Sequence, residues 1–179
     1  MTVQAFGELW PPFSGVCRIA ILRGGGLGDL LLIMPAVESL AAAYPKAEIT
    51  LLGSALHAEL LHGRPSPFSS IEILPQGLGM GPGVADSLAT SQFLHRMQAR
   101  RFDLAIQLHG GGRHSNPFLL SLGATHTVGR ATEDALPLER TLPYLHYQHD
   151  VIKALEVVAL AGVAPIQLEP QLRPDRRRG

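Results

Sequence analysis

Two glycine-rich stretches carry the residue types that do chemistry. The first runs Arg23-Gly24-Gly25-Gly26-Leu27-Gly28-Asp29, a cation and a carboxylate at the ends of a turn. Its glycines accept positive φ and let a ligand lie close to the backbone. An apolar run precedes the turn and a helical period follows it, so the free N–H groups of a helix start face any anion held there. The spacing is not that of a dinucleotide fingerprint, because Asp29 stands where the third glycine belongs. No Lys-Ser/Thr pair follows, as a Walker A loop requires, and a carboxylate at the helix start repels a pyrophosphate. NAD and ATP are therefore disfavoured at this turn. Asp29 itself has two readings. As a helix N-cap it satisfies an orphan N–H, a duty asparagine performs equally well. Facing a cleft, the same carboxylate can take a proton from a hydroxyl.

The second stretch is His109-Gly110-Gly111-Gly112-Arg113-His114-Ser115-Asn116. Arg113 is suited to hold a phosphate or a sugar acid. The plainer reading is a solvated turn in which Ser115 or Asn116 caps the next helix. Among the eight histidines, His146 and His149 form the best-spaced pair for a metal. No HExxH pattern or carboxylate set completes a coordination sphere, so no metal is expected, and a histidine at a helix start serves more simply as a cap. Glu38 and Glu48 are expected on solvated faces, and Met34 and Leu40 in the core.

The elements that position these stretches follow from periodicity. Residues 16–22 are an apolar run of β-formers leading into the first turn. From Asp29, apolar residues at Leu30, Ile33, Met34, Val37, Leu40, Ala41 and Tyr44 keep the spacing of a helix with one buried face. Pro45 ends it, and Pro35 inside it removes one backbone bond. Residues 47–53 read as a second strand, making 16–53 a βαβ unit with a parallel pair. The alternation continues with a helix at 55–61, a strand at 71–74, a Gly/Pro-rich loop at 76–83 and a helix at 86–101 capped by Asp86. A strand at 102–108, a helix at 115–122, a strand at 125–128, a proline-containing connection and a helix at 149–161 complete it. This pattern predicts an α/β fold, a Rossmann-like doubly wound parallel sheet. The ligand edge of such a sheet is the carboxyl end of its strands, which places loops 24–29, 75–85 and 109–115 together. Residues 1–15 read as an irregular lead-in, 16–163 as the domain, and 164–179 as a linker or frayed tail.

Composition narrows the function classes. The 179 residues are 46% hydrophobic and 17% charged, with 15 basic and 15 acidic side chains, which fits one globular domain. With no net charge, nothing in the overall field favours nucleic acid or an anionic membrane. Cys17 is the sole cysteine, which rules out an intrachain disulfide. No apolar stretch is long enough for a transmembrane helix, and the start lacks a signal-peptide pattern, so a cytoplasmic protein is expected.

Residues 23–36, with Gly28-Asp29 and Pro35-Ala36 as the most specific part, resemble the opening of glycosyltransferase family 9, which includes the ADP-heptose:lipopolysaccharide heptosyltransferases. Tyr44-Pro45-Lys46-Ala47-Glu48-Ile49-Thr50-Leu51-Leu52 matches the continuation. Phe102-Asp103-Leu104-Ala105-Ile106-Gln107-Leu108-His109-Gly110, Leu122-Gly123-Ala124, and His149-Asp150-Val151 leading to Leu160-Ala161-Gly162-Val163 follow in family order across 16–163. The resemblance implies the N-terminal half of a two-domain GT-B enzyme, inverting and metal-independent, with a saccharide or glycolipid acceptor such as the lipopolysaccharide inner core. It implies Asp29 as general base and an acceptor site drawn from Gly25, Gly26, Leu27, Gly28, His109, Gly110 and Arg113. It also implies no cofactor, a nucleotide-sugar donor of the ADP-heptose kind as co-substrate, and a C-terminal donor-binding domain as partner. Contact with a membrane would be peripheral, through the acceptor. The competing expectations are a stand-alone Rossmann-like binding module and an unrelated nucleotide-using α/β enzyme, the latter disfavoured by the missing fingerprint.

Overall fold

The structure is a computed structural model that describes residues 9–75 and 87–174. The expected loop at 76–83, the Asp86 cap and the basic end at 175–179 lie outside the described residues. The elements, in order, are β1 (Arg18–Leu22), α1 (Leu27–Ala43), β2 (Glu48–Gly53), α2 (Ala55–Leu61), β3 (Ser70–Ile73), α3 (Ser87–Ala99), β4 (Leu104–Gln107), α4 (Ser115–Ser121), β5 (His126–Ala131), β6 (Arg140–Pro143) and α5 (Asp150–Ala159). The strands form one parallel sheet in the order β3-β2-β1-β4-β5-β6. The chain winds outward from β1 through β2 and β3, then returns to the other side at β4. That reversal opens a crevice beyond the carboxyl ends of β1 and β4.

The strand period of two divides the core into two layers. Ile19 and Ile21 of β1, Ile49 and Leu51 of β2, and Leu104 and Ile106 of β4 face α1 and α5. Ala20, Leu22, Leu52 and Ala105 face the other way, onto Phe93 and Met97 of α3 and Phe118 and Leu119 of α4. With helices on both faces the central strands read as continuous apolar runs, which is why they were legible. Met34 and Leu40 are core residues, as expected. The Asp103 carboxylate accepts the N–H groups of Cys17 and Arg18 at 2.9 and 2.8 Å, fixing the start of β1 beside β4.

β6 was not expected. Its residues, Arg140 to Pro143, carry no apolar run and are only partly buried, because it is an edge strand with one neighbour. Proline is tolerated at such an edge. α1 runs through Pro35 without a break and ends at Tyr44, whose N–H donates to the Leu40 carbonyl at 2.9 Å.

Neither end of the described chain forms a helix or strand, yet both are fastened. Phe13 is buried, and its N–H donates to the Tyr44 hydroxyl at 3.1 Å, which in turn donates to the Ala161 carbonyl at 2.7 Å. Arg140 lies over the Phe13 ring at 3.7 Å and donates to the carbonyls of Pro11 and Leu160. At the other end, the Ile166 N–H donates to Ser39 Oγ at 3.1 Å and Leu172 packs against the core. This segment brings Arg173 near Glu38, which is therefore half-buried instead of solvated; burial raises its carboxyl above the usual range and Arg173 partly offsets that. Glu48 is exposed, as expected. No helix among the described residues is long and apolar enough to cross a membrane.

The Tyr44 hydroxyl thus clamps two segments that have no regular structure of their own. Tyr44→Phe leaves the Phe13 N–H and the Ala161 carbonyl without this partner. It is expected to lower unfolding free energy by about 1–3 kcal/mol in urea titration, without a change in m-value.

Candidate functional site

The site is built on the carboxyl ends of the two central strands. Leu22 and Gln107 end β1 and β4 in register, and the Leu108 N–H donates to the Leu22 carbonyl at 3.0 Å. Arg23 follows directly and is buried. Its guanidinium donates from Nη2 to Asp29 Oδ1 at 2.6 Å, from Nε to the Asp29 carbonyl at 3.1 Å, and from Nη1 to the Leu108 carbonyl at 2.5 Å. The two glycine-rich loops therefore share one edge of the sheet, as their positions after strands required.

Asp29 is not the N-cap. α1 begins at Leu27 with Gly26 as its cap residue, and Asp29 is the third helical position. From there its Oδ2 reaches back to accept the Gly26 N–H at 2.8 Å, half of a capping box. The sequence placed the helix start two residues late because glycine at Gly26 and Gly28 disguised the first turn. Gly25 is what lets the carboxylate sit there. At φ +95°, a Cβ on Gly25 would lie 2.3 Å from Asp29 Oδ2, whereas a Cβ on Gly28 would meet nothing within 4 Å.

The second loop is braced from below. Buried Gln107 donates from Nε2 to the His109 carbonyl at 2.5 Å and to Ser115 Oγ at 2.6 Å, and Ser115 Oγ donates to the same carbonyl at 3.0 Å. Asn116 Nδ2 donates to the carbonyls of Arg130 and Leu136 at 3.1 and 2.7 Å. Neither residue caps the next helix; His114 occupies the cap position of α4 and makes no side-chain cap bond. Both are buried loop braces instead, because their short polar side chains donate to loop carbonyls within the protein. His149 does cap α5, its Nδ1 accepting the Val151 N–H at 3.3 Å, and the His146 ring stands edge-on to Tyr144. Among the described residues no group of three His, Cys, Asp or Glu side chains is placed to hold a metal.

Asp29, His109 and Gly110 converge on a cleft of about 220 Å3, which Arg23, Arg130, Tyr144 and Lys153 also line. His109 and Gly110 also border an adjoining hollow of about 340 Å3 that contains Arg113. Gly25, Gly26, Leu27 and Gly28 line neither; they form the turn behind Asp29. Burial, and secondarily the Arg23 cation, push the His109 imidazole below its ordinary value, while the Asp29 carboxylate pulls it up. Arg113 is not a free cation: its Nε lies 3.3 Å from Asp134 Oδ2, with both side chains more than half exposed. Such a pair is screened and readily exchanged. The Thr132 hydroxyl, at 2.6 Å, does more than Arg113 to hold the Asp134 carboxyl below the usual range.

Several lining residues escaped the sequence reading. Lys153 donates to Asp150 at 3.1 Å and lies 4.8 Å from the Tyr144 ring centre. Buried Arg130 pairs with Glu156 and donates to the Pro143 carbonyl at 2.7 Å. They come from β5, the end of β6 and α5, far from the glycine loops in sequence. The available signal was Lys153, one of only two lysines, set in a helix otherwise rich in apolar residues.

Gly25→Ala is expected to destabilise the protein by about 1–3 kcal/mol, since it combines a left-handed backbone with a clash on Asp29. Gly28→Ala, inside the helix with open space around it, is expected to be neutral or to stabilise by up to about 1 kcal/mol. Paired thermal melts decide this, and equal effects would contradict the assigned turn. His109 is expected to titrate below an ordinary histidine by NMR, and lower still in Asp29→Asn, which removes the carboxylate that raises it. Since the unfolded chain then takes up the proton first, His109 opposes folding as pH falls through the ordinary histidine range.

Compared by sequence, the chain matches no protein-family model and no curated protein. Compared by structure, it superposes on a glycosyl transferase of family 9 from Veillonella parvula with a TM-score of 0.70 at 17% identity, covering 90% of this chain and 47% of that one. The E. coli heptosyltransferase WaaC gives 0.65 at 18% identity, over 86% of this chain and 51% of that one. E. coli ADP-heptose lipopolysaccharide heptosyltransferase II gives 0.63 at 20% identity, over 89% and 47%. The chain spans about half the length of these solved structures. Its six-stranded parallel sheet and helices thus have the fold found in about half of a family 9 glycosyltransferase or ADP-heptose heptosyltransferase chain.

Proposed function

We propose that this chain is the acceptor-side half of an inverting, metal-independent glycosyltransferase of the heptosyltransferase type. The observation that carries the reading is the Asp29 carboxylate, held at the mouth of the β1–β4 crevice by Arg23 and the Gly26 N–H, beside the same cleft as His109. Each Asp29 oxygen accepts one of these bonds and keeps lone-pair capacity for another. In the proposed reaction an acceptor hydroxyl donates its proton to Asp29 as its oxygen attacks the anomeric carbon of the donor sugar. The bond from that carbon to the nucleoside diphosphate breaks on the opposite face, so configuration inverts. The acceptor is a saccharide or glycolipid such as the lipopolysaccharide inner core, met at the cytoplasmic side of a membrane. The donor is a nucleotide-sugar of the ADP-heptose kind, held by a second domain. His109 and Gly110 border the acceptor, and Arg113 exchanges Asp134 for an acidic group on it.

Asp29→Asn in the complete enzyme is expected to reduce turnover by about 10²- to 10⁴-fold, the usual contribution of a positioned base. The expectation that asparagine would replace Asp29 at no cost to folding needs revision. Its amide N–H₂ and the Gly26 N–H would both be donors, and Arg23 would lose a charged partner. A stability loss of about 1 kcal/mol is expected at this half-exposed position. Near-normal turnover in this variant would return Asp29 to a structural role.

Residues 1–179 alone are expected to fold and to transfer no sugar at a useful rate. Without a donor domain, the proximity contribution, up to roughly 7–11 kcal/mol in well-oriented systems, is lost. An assay with ADP-heptose and an inner-core saccharide, alongside calorimetric titration of each, tests this. Measurable turnover or tight ADP-sugar binding would overturn the two-domain reading.

A further inference from the structure

We propose that His57 is a positioning residue for the Asp29 carboxylate, acting through the backbone of Gly26; the inference rests on the reading of Asp29 as the base. His57 is fully buried in the first turn of α2, directly behind the glycine turn. Its Nδ1 accepts the Ser54 N–H at 3.3 Å, and its Nε2 lies 3.1 Å from the Gly26 carbonyl. A carbonyl cannot donate, so these two bonds together require the ring proton on Nε2. The residue whose carbonyl His57 grips is the one whose N–H donates to Asp29 Oδ2 at 2.8 Å. Ser54 reinforces the hold, its Oγ donating to the Gly25 carbonyl at 3.4 Å.

The carboxylate is thus fixed from two sides. Arg23 sets Oδ1 from the β1–β4 side, and His57, through Gly26, sets Oδ2 from the α2 side. The fold makes room for this arrangement twice. A Cβ on Gly53 would lie 2.8 Å from His57 Nδ1, as one on Gly25 would collide with Asp29 Oδ2. An apolar side chain would fill the His57 seat without the cost of desolvating an imidazole. A leucine, however, would leave the Gly26 carbonyl only the Leu30 N–H of α1, at 3.3 Å, and would loosen the residue whose N–H holds Asp29 Oδ2.

The test separates positioning from packing. In the wild-type chain, imidazole ¹⁵N spectra are expected to show the His57 proton on Nε2; a proton on Nδ1 would overturn the proposal without any mutation. His57→Gln keeps an N–H donor at the tip of the side chain, and His57→Leu keeps only bulk. Hydrogen exchange at the Gly26 amide is expected to speed up by about tenfold or more in His57→Leu and to change little in His57→Gln. In the complete enzyme with ADP-heptose and an inner-core saccharide, His57→Leu is expected to lower kcat by about 10- to 100-fold with KM within about threefold, and His57→Gln to restore most of it. In an Asp29→Asn background His57→Leu is expected to cost nothing further in kcat, because the two act as one unit. Equal losses in the Gln and Leu variants, or undiminished loss in the Asp29→Asn background, would reduce His57 to packing. Should His57→Leu fail to fold, the tautomer and the Gln variant decide. Undiminished transfer by Asp29→Asn alone would overturn the base reading, while Gly26 exchange would still report whether His57 holds the turn.

Discussion

The guanidinium of Arg23 ties together three segments at the edge of the sheet. It leaves the end of β1, binds both the side chain and the carbonyl of Asp29 in the first turn of α1, and reaches across to the Leu108 carbonyl beyond β4. A parallel sheet brings the ends of β1 and β4 side by side but leaves their outgoing loops to diverge toward opposite faces. A buried cation with donors in a planar fork holds them at one edge. The cleft and the orientation of the Asp29 carboxylate both depend on this.

Burial decides how firmly each charge pair in the region holds. Arg23 is almost covered, and an unpaired cation there would be costly, so Asp29 is held by necessity as well as attraction. Arg113 and Asp134 form the same kind of pair in the open, where water and salt screen it and exchange is cheap. One crevice therefore contains a fixed carboxylate and an exchangeable cation. His109 lies between them with its imidazole pushed toward the neutral form, so it presents a hydrogen-bonding edge instead of a charge.

The glycines of the turn have distinct duties. Gly25 is required by the close approach of Asp29 and by its own left-handed backbone; Gly53, outside the motif, is required by His57. Gly28 is required by no neighbour among the described residues, where the space beside it is open. A glycine run in a sequence reports that the backbone comes close to something, and only coordinates distinguish an internal side chain from open space.

The sequence alone carries the layering. Strands buried on both faces must be apolar throughout, and amphipathic helices between them must cover those faces, so β1, α1, β2, β4 and α5 were legible from period alone. It also placed Asp29 and His109 at one edge, since both follow strands of a parallel sheet. Edge strand β6 was hidden because an edge with one neighbour needs no apolar run. The start of α1 at Leu27, the bracing of a loop by Ser115 and Asn116, and the Arg113–Asp134 pair emerge only in the folded chain. His57, Arg130, Tyr144 and Lys153 joined the site from outside the two glycine-rich stretches. Their contributions are contacts between residues distant in the chain, and local periodicity, which reports only how a segment meets its own neighbours, contains no record of them.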